Sequence, residues 1–333
     1  MKRLFIVYNP RSSRFCDVKK EVLSHLPRLK GYIIGKYEVE PIGVDKNAAK
    51  FAKLLKDGDF VISAGGDATG VISANAILNS SKDVTLAVLP YGNFNDLART
   101  LGTKTLEDIM GEQNRLFEGP PERGSARMSG ARPWRRAGRT QPEKSRFAHL
   151  YPLDIIVDGK HWRYATCYVT IGMTAEAVPL FDEPKIRKNL QKGHKSSWRS
   201  YIYLVKWYFK NRRKKVFIPE FKLNGKLQPT KTSDYAAVNG RSMCRVMKGG
   251  YDYQVPQKFR STTDRLTNFW RLFKLMAKSI LVRTPGIETK GDILEFTKPS
   301  TVSLQAEGEY QTFENIKTIE VKKTNKYIKV IQK

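Results

Sequence analysis

Two carboxylates lie just past short apolar runs, each close to a glycine: Asp67 in Gly65-Gly66-Asp67-Ala68-Thr69-Gly70, and Asp96 at the end of Pro90-Tyr91-Gly92-Asn93-Phe94-Asn95-Asp96. Paired glycines let backbone N–H groups approach a ligand that a Cβ would hold off. Two carboxylates sharing one crevice can hold Mg²⁺, whose oxygen ligands and retained waters suit nucleotide phosphates. A third polar turn, Asn9-Pro10-Arg11-Ser12-Ser13, offers an amide, hydroxyls and a guanidinium to a phosphate. Taken singly, each stretch reads equally well as an ordinary turn, with a serine, Asn95 or Asp96 capping the helix that follows. Their repetition past successive apolar runs weighs for a shared anion site.

The elements that must position these residues are legible in the apolar pattern. Leu4 to Tyr8, Tyr32 to Val39, Phe60 to Ala64 and Val84 to Leu89 are apolar runs of strand length. Between them Val18, Val22, Leu23 and Leu26, then Ala48 to Leu55, then Val71 to Leu78, fall at helical spacing. The order β-α-β-α-β predicts a doubly wound parallel sheet. In such a sheet the ligand sits beyond the C-terminal strand ends, where all three polar turns fall.

The three turns resemble the three signatures of the diacylglycerol kinase catalytic-domain family, NPxSG, GGDGT and LPxGTxNDxAR, here in the same order. The bacterial soluble lipid kinases are the branch most similar in length, with sphingosine kinases and NAD kinases as relatives. NAD kinases share the glycine-aspartate turn but not the Asn95-Asp96-Leu97-Ala98-Arg99 helix start. The resemblance implies ATP and Mg²⁺ as cofactors. Asn9, Pro10, Arg11, Ser12, Ser13, Gly65, Gly66, Asp67, Ala68, Thr69, Gly92, Asn93 and Asn95 would surround the nucleotide, and Asp67, Asp96 and Asp154 would hold the metal. Ala306-Glu307-Gly308-Glu309 resembles the family's DGE signature, which makes Glu307 the expected general base and Asp67 the second catalytic residue. Three positions depart from the pattern: Ala68 and Phe94 replace glycines, and Asn93 replaces a threonine. If position 68 needs a positive φ, alanine there costs about 1 kcal/mol. The family's acidic metal loop should fall between Tyr251 and Asp264, where this chain does not reproduce it.

The remaining chain supplies a second half. Gly119 to His149 carries eight Lys/Arg and two Glu with hardly any aliphatic residue, so it reads as a basic linker or insertion. Beyond it, Leu153 to Val157, Tyr164 to Ile171, Val216 to Leu223, Tyr235 to Val238, Ile293 to Phe296, Val302 to Gln305, Ile316 to Val321 and Tyr327 to Ile331 are strand candidates. The expected architecture is α/β plus β: a doubly wound parallel-sheet nucleotide-binding domain at 1–118, the insertion at 119–149, a β-sandwich lipid-substrate domain at 150–312, and C-terminal strands at 313–333 returning to the first domain.

Composition narrows the partners. Sixty Lys+Arg against 32 Asp+Glu give a formal net charge of +28, which favours polyanions: nucleic acid, anionic lipid or nucleotide phosphates. No helix-turn-helix, RRM or zinc pattern appears, so specific nucleic-acid binding is not expected. Lys185 to Lys215 holds twelve Lys/Arg and no acid, interleaved with Trp198, Tyr201, Tyr203, Trp207, Tyr208 and Phe209. Leu266 to Val282 repeats the mixture with Phe269, Trp270, Phe273, Arg271, Lys274 and Lys278. Both fit interfacial helices on an anionic membrane, and equally helices that bury an apolar stripe and expose only cations. Cys16, Cys167 and Cys244 have no CxxC spacing and fit a reducing cytosol. No segment is long and apolar enough to span a bilayer. The expectation is an ATP-dependent lipid kinase acting on diacylglycerol or a related lipid, cytoplasmic and peripheral to the inner membrane face, with room for a homodimer. A NAD kinase-like enzyme and a catalytically degenerate nucleotide- or lipid-binding member are the alternatives.

Overall fold

The computed structural model describes residues 2–12, 14–29, 31–92, 94–103, 105–106, 109, 147–186, 196–211, 218–243, 247–265 and 269–332. In the first half, β1 (Lys2–Tyr8), α1 (Phe15–Glu21), β2 (Tyr32–Glu38), α2 (Val44–Ala52), β3 (Phe60–Gly65), α3 (Asp67–Ser80), β4 (Thr85–Pro90) and α4 (Asp96–Leu101) follow one another, with a 3-10 turn at Leu23–Arg28 after α1. Parallel pairing joins β1 to both β2 and β3, and β3 to β4. The apolar runs form strands because alternate residues feed two cores. Leu4, Ile6, Phe60, Ile62, Ala87 and Leu89 pack with Val18, Val22 and Leu26 on one face. Val7, Val61, Leu86 and Val88 pack with α2, α3 and α4 on the other. A strand covered on both faces needs this unbroken apolar composition.

The second half contains β5 (Phe147–Leu150), β6 (Leu153–Val157), β7 (Lys160–Ala165), β8 (Tyr168–Gly172), α5 (Met173–Glu176), α6 (Val178–Asp182), α7 (Ser196–Asn211), β9 (Phe221–Leu223), β10 (Lys226–Leu227), β11 (Asp234–Val238), β12 (Ser242–Met243), β13 (Met247–Lys248), β14 (Phe259–Asp264), α8 (Phe269–Leu281), β15 (Ile287–Thr289), β16 (Gly291–Ala306), β17 (Glu309–Lys323) and β18 (Ile328–Ile331). An antiparallel sheet runs β15-β14-β11-β8-β16-β17-β6-β7, with β9 and β10 attached at β16. Leu153, Ile155, Ile171, Tyr235, Phe259, Leu294, Leu304 and Ile319, drawn from strands along this whole order, share one core.

Several expectations change. The two strand candidates at Ile293 and Val302 are one strand: Lys298-Pro299-Ser300 lies at a register shift inside β16, where a proline without an N–H is tolerated. Tyr164 to Ile171 is instead two strands, separated at Thr166-Cys167. Phe147 to His149, taken as linker, belongs to β5, which pairs with β18. Of 313–333, only β18 joins the first sheet, between β4 and β5, while residues through Lys323 stay in the antiparallel sheet. The 110–146 stretch and most of Val216 to Leu223 outside β9 lie beyond the described residues, apart from Ile218 to Glu220.

The two sheets meet along α3. Asn75 donates to the Tyr164 carbonyl and accepts the Tyr164 N–H, both at 3.0 Å. Beside it Arg163 forms a two-pronged ion pair with Asp45, both bonds 2.9 Å.

Candidate active site

The Gly65-Gly66 turn and the Tyr91–Asn95 turn touch backbone to backbone. A Cβ on Gly66 would stand 3.1 Å from Gly92 Cα, and one on Gly92 would overlap Gly66 outright. The Tyr91 N–H also donates to the Gly65 carbonyl at 3.0 Å. Asn95 closes its own turn: its Oδ1 accepts the Gly92 N–H at 2.7 Å and its Nδ2 donates to the Gly92 carbonyl at 2.8 Å. It sits at φ 58°, a left-handed position that asparagine tolerates better than most residues. The side chain of Asn95 therefore holds a loop and does not cap α4.

Asp67 opens α3, where the helix dipole favours a carboxylate. Its Oδ2 accepts the Asn95 N–H at 2.8 Å and its Oδ1 the Asp96 N–H at 2.7 Å. Ala68 lies inside the same helix and is not among the positive-φ residues, so alanine there carries no backbone strain. The concern raised by its departure from the family glycine does not hold for the backbone.

Asp96, buried at 1% exposure, is not a simple cap either. Its Oδ1 accepts the Ser242 hydroxyl at 2.7 Å and its Oδ2 the Tyr168 hydroxyl at 3.2 Å, both from the second half. Glu307 enters the same region from the β16–β17 hairpin. Glu307 and Gly308 form a two-residue turn with φ of 53° and 89°, the backbone of a type I′ hairpin. Such turns take Asn, Asp or Gly readily, and a buried glutamate at this strained position points to function. Glu307 Oε1 accepts the Thr166 hydroxyl at 2.6 Å and the Cys167 N–H.

The electrostatics follow from crowding three acids into this crevice. Burial, and then the charge of Asp96, push Asp67 up to about 7 against the pull of its two N–H donors, with Glu307 adding repulsion. Burial likewise lifts Glu307 to about 7, opposed by Thr166 and Cys167, with Asp96 raising it further. Burial beside Glu307 and Asp96 holds the Cys167 thiol well above its ordinary range, as a neutral group. Carboxylates titrating near 7 are suited to exchange protons at working pH.

The first turn stands beside these. Asn9 Oδ1 accepts the Arg11 N–H at 2.9 Å, the Asn9 carbonyl accepts the Ser12 N–H at 3.0 Å, and Arg11 reaches the Val39 carbonyl at 3.4 Å. Ser12 Oγ is buried with no hydrogen-bond partner, an orphan that a phosphate oxygen would satisfy. Arg14, absent from the sequence reading, ties this turn to the second: it donates to the Pro90 carbonyl at 3.0 Å and lies 5.4 Å from the Tyr91 ring centre. Thr69 is buried in α3, under Gly65. Pro10 falls within the same first turn, whereas Ser13 and Asn93 lie outside the described residues.

Asp154 is placed differently from the expectation. On β6 it stands opposite Tyr164, and its carboxylate meets the His161 ring at 2.6 Å. Among the described residues no three His, Cys, Asp or Glu side chains group closely enough to hold a metal ion. Asp67 and Asp96 remain a two-carboxylate pair under mutual repulsion. That donor set fits a Mg²⁺ that arrives with nucleotide phosphates and keeps several waters, rather than an all-protein cage. The Tyr251 to Asp264 region is a turn followed by β14, and its Asp264 stands opposite Asp234. Among the described residues no helix is long and apolar enough to cross a membrane.

Tyr168, Ser242, Thr166 and Arg14 are the residues sequence reasoning missed. The first three are single polar residues on or beside strands, and nothing in their local pattern marks them.

Comparison with known proteins agrees with the geometry. Residues 3–125 match the diacylglycerol kinase catalytic domain. A diacylglycerol kinase of Bacillus subtilis (strain 168) is 36% identical over 121 residues, covering 36% of this chain and 39% of that protein. One of Staphylococcus aureus (strain MRSA252) is 34% identical over 120 residues, covering 35% and 37%. The matched stretch thus spans less than two fifths of those relatives. Two crystal structures from Bacillus anthracis str. Sterne share the fold over 100% of this chain and 97% of theirs. One has a TM-score of 0.61 at 15% identity, and the other, described as a diacylglycerol kinase, 0.57 at 16%. Through residues 3–125, this chain belongs to the diacylglycerol kinase catalytic domain family.

Proposed function

We propose that this protein is an ATP-dependent lipid kinase that transfers the γ-phosphoryl group of ATP to a hydroxyl of diacylglycerol or a related membrane lipid. The observation that supports it most is the convergence of Asp67, Asp96 and Glu307, from two sheets, on one crevice lined by glycine turns. In this reading the doubly wound half binds nucleotide and the antiparallel half, a β-sandwich, presents the lipid. The protein would act from the cytoplasm at the inner membrane face.

Phosphoryl transfer asks a protein for positioning and charge neutralisation more than for covalent help. The N–H groups of the Gly65-Gly66 turn and the Asn9–Ser12 turn, with the orphan Ser12 hydroxyl, bind the phosphates. Asp67 and Asp96 would hold Mg²⁺, which when bound neutralises the phosphate charge. Ser242 and Tyr168 keep Asp96 in place. Both recorded bonds to Glu307 land on Oε1, which leaves Oε2 to take the proton of the lipid hydroxyl. That oxygen then forms the new bond to phosphorus while the bond from phosphorus to the β-phosphate oxygen breaks and ADP departs. The test is incubation with labelled ATP, Mg²⁺ and a total lipid extract, with the product identified by mass. A phosphorylated glycerolipid supports the reading, and turnover of NAD with no labelled lipid contradicts it.

A further inference from the structure

Helices α7 and α8 pack against each other and leave a second face unused. Tyr208, Leu204 and Trp207 of α7 share a small apolar cluster with Leu275 and Ile280 of α8, with Met173 and Met247. The opposite face of α7 carries Ile202 (51% exposed), Lys206, Phe209 and Lys210, at the spacing of one helical stripe. On α8 the outward stripe is Trp270 (67% exposed), Phe273, Lys274, Lys278 and Leu281 (73% exposed). Neither helix contains an acidic residue, while Arg199, Lys206, Lys210, Arg271, Lys274 and Lys278 give each three positive charges.

We propose that the paired outer faces of α7 and α8 dock the protein on an anionic lipid bilayer, aromatic and aliphatic side chains entering the headgroup region and the lysines meeting lipid phosphates. The chemistry selects this occupant. A second copy would set three positive charges per helix against the same charges, with no acid to answer them. Nucleic acid would use the cations and stack on the aromatics, but gains nothing from exposed Ile202 and Leu281. A bilayer uses all three kinds of side chain at once. Trp270 and Phe273, edge to face at 6.1 Å between ring centres, are of the type that sits at headgroup depth.

The position of this face deepens the lipid-kinase reading, on which its purpose rests. Met247, packed in the α7–α8 cluster, is on β13, which pairs with β12, and β12 carries the Ser242 that holds Asp96. Lys248 Nζ donates to the Leu281 carbonyl at 3.0 Å, and Thr284 donates to the Lys248 carbonyl, so the end of α8 is pinned to the same hairpin. A bilayer on these helices therefore lies one hairpin away from the carboxylates.

The experiment is sedimentation of the full chain with vesicles of phosphatidylcholine alone and of phosphatidylcholine with phosphatidylglycerol, alongside transfer to a short-chain diacylglycerol dissolved below its micellar concentration. Wild type should partition onto the anionic vesicles, and W270S/F273S or K274E/K278E should each weaken that at least about tenfold. Both variants should keep wild-type transfer to the dissolved substrate. Unchanged vesicle binding in both variants overturns the proposal, as does a dimer that F273S dissolves in the absence of lipid, or binding of RNA that anionic vesicles do not displace. Vesicle binding without transfer to any lipid would overturn the kinase reading and leave the docking face standing. Transfer to dissolved lipid with no vesicle binding would do the reverse.

Discussion

The Asp96 backbone N–H donates to Asp67 Oδ1 at 2.7 Å while the Asp96 carboxylate, across the same step of chain, raises the pKa of Asp67 by repulsion. One residue thus fixes Asp67 and destabilises its charge, an arrangement that a cation would relieve. Removing the Asp67 side chain leaves the N–H groups of Asn95 and Asp96 without their acceptor. Asp67→Ala should abolish transfer and lower stability by about 2 kcal/mol, the size of a buried donor left unpaired. Urea unfolding of the purified variant measures the second effect apart from the first.

Glu307 gives opposite pH signatures in activity and stability. As a base it works when ionised, so kcat/KM should rise through about pH 7 and level off above. For stability, folding raises this carboxyl to about 7 from about 4 in the unfolded chain, so the folded state binds the proton more tightly between those values. Its contribution is complete below about pH 4 and is lost as pH rises to about 7. Glu307→Gln carries no such proton, so wild type should lose about 3 kcal/mol relative to that variant between pH 4 and pH 8. Parallel denaturant titrations at the two pH values read this difference.

The glycines of the two turns differ from the alanine beside them. Gly92→Ala forces a Cβ onto Gly66 and against Asn95 Oδ1, so the turns must separate and transfer should fall at least about a hundredfold, since misplacement on the order of 1 Å has that cost. Ala68→Gly, which would restore the family residue, changes a helical position and should lower stability by about 0.5 kcal/mol. Thermal melts and transfer assays on the two variants separate the effects.

Asn75 joins the two halves by giving and taking one hydrogen bond with Tyr164, and it is 3% exposed. Asn75→Ala leaves both backbone groups buried and unpaired, a loss of about 2–3 kcal/mol. Asn75→Asp keeps an acceptor but not the donor, and should fall between the two in unfolding experiments at pH 8.

Much of this arrangement was legible in the chain. Strands with both faces covered need unbroken apolar runs, so β1, β3 and β4 announce themselves, and their ends locate the turns that carry Asp67 and Asp96. Glu307 was legible through its resemblance to a family signature, although its burial in a hairpin turn was not. Tyr168 and Ser242 were not legible, because a hydroxyl on a strand becomes a carboxylate partner only when the second sheet is laid against α4. The strand Phe259–Asp264 escaped notice because its sequence, FRSTTD, buries Arg260 and Ser261 and offers hardly any apolar signal. Asp154 illustrates the converse: the resemblance implied a metal ligand, and the hairpin register gives it His161.

The central claim, that Glu307 takes the proton while Asp67 and Asp96 organise the phosphates, is tested most directly by comparing wild type with Glu307→Gln in a single turnover with labelled ATP and diacylglycerol vesicles, nucleotide affinity being measured in parallel. The account predicts a loss of about 10²–10⁴ in the transfer rate with nucleotide affinity within twofold or so of wild type. An unchanged transfer rate in Glu307→Gln would contradict it.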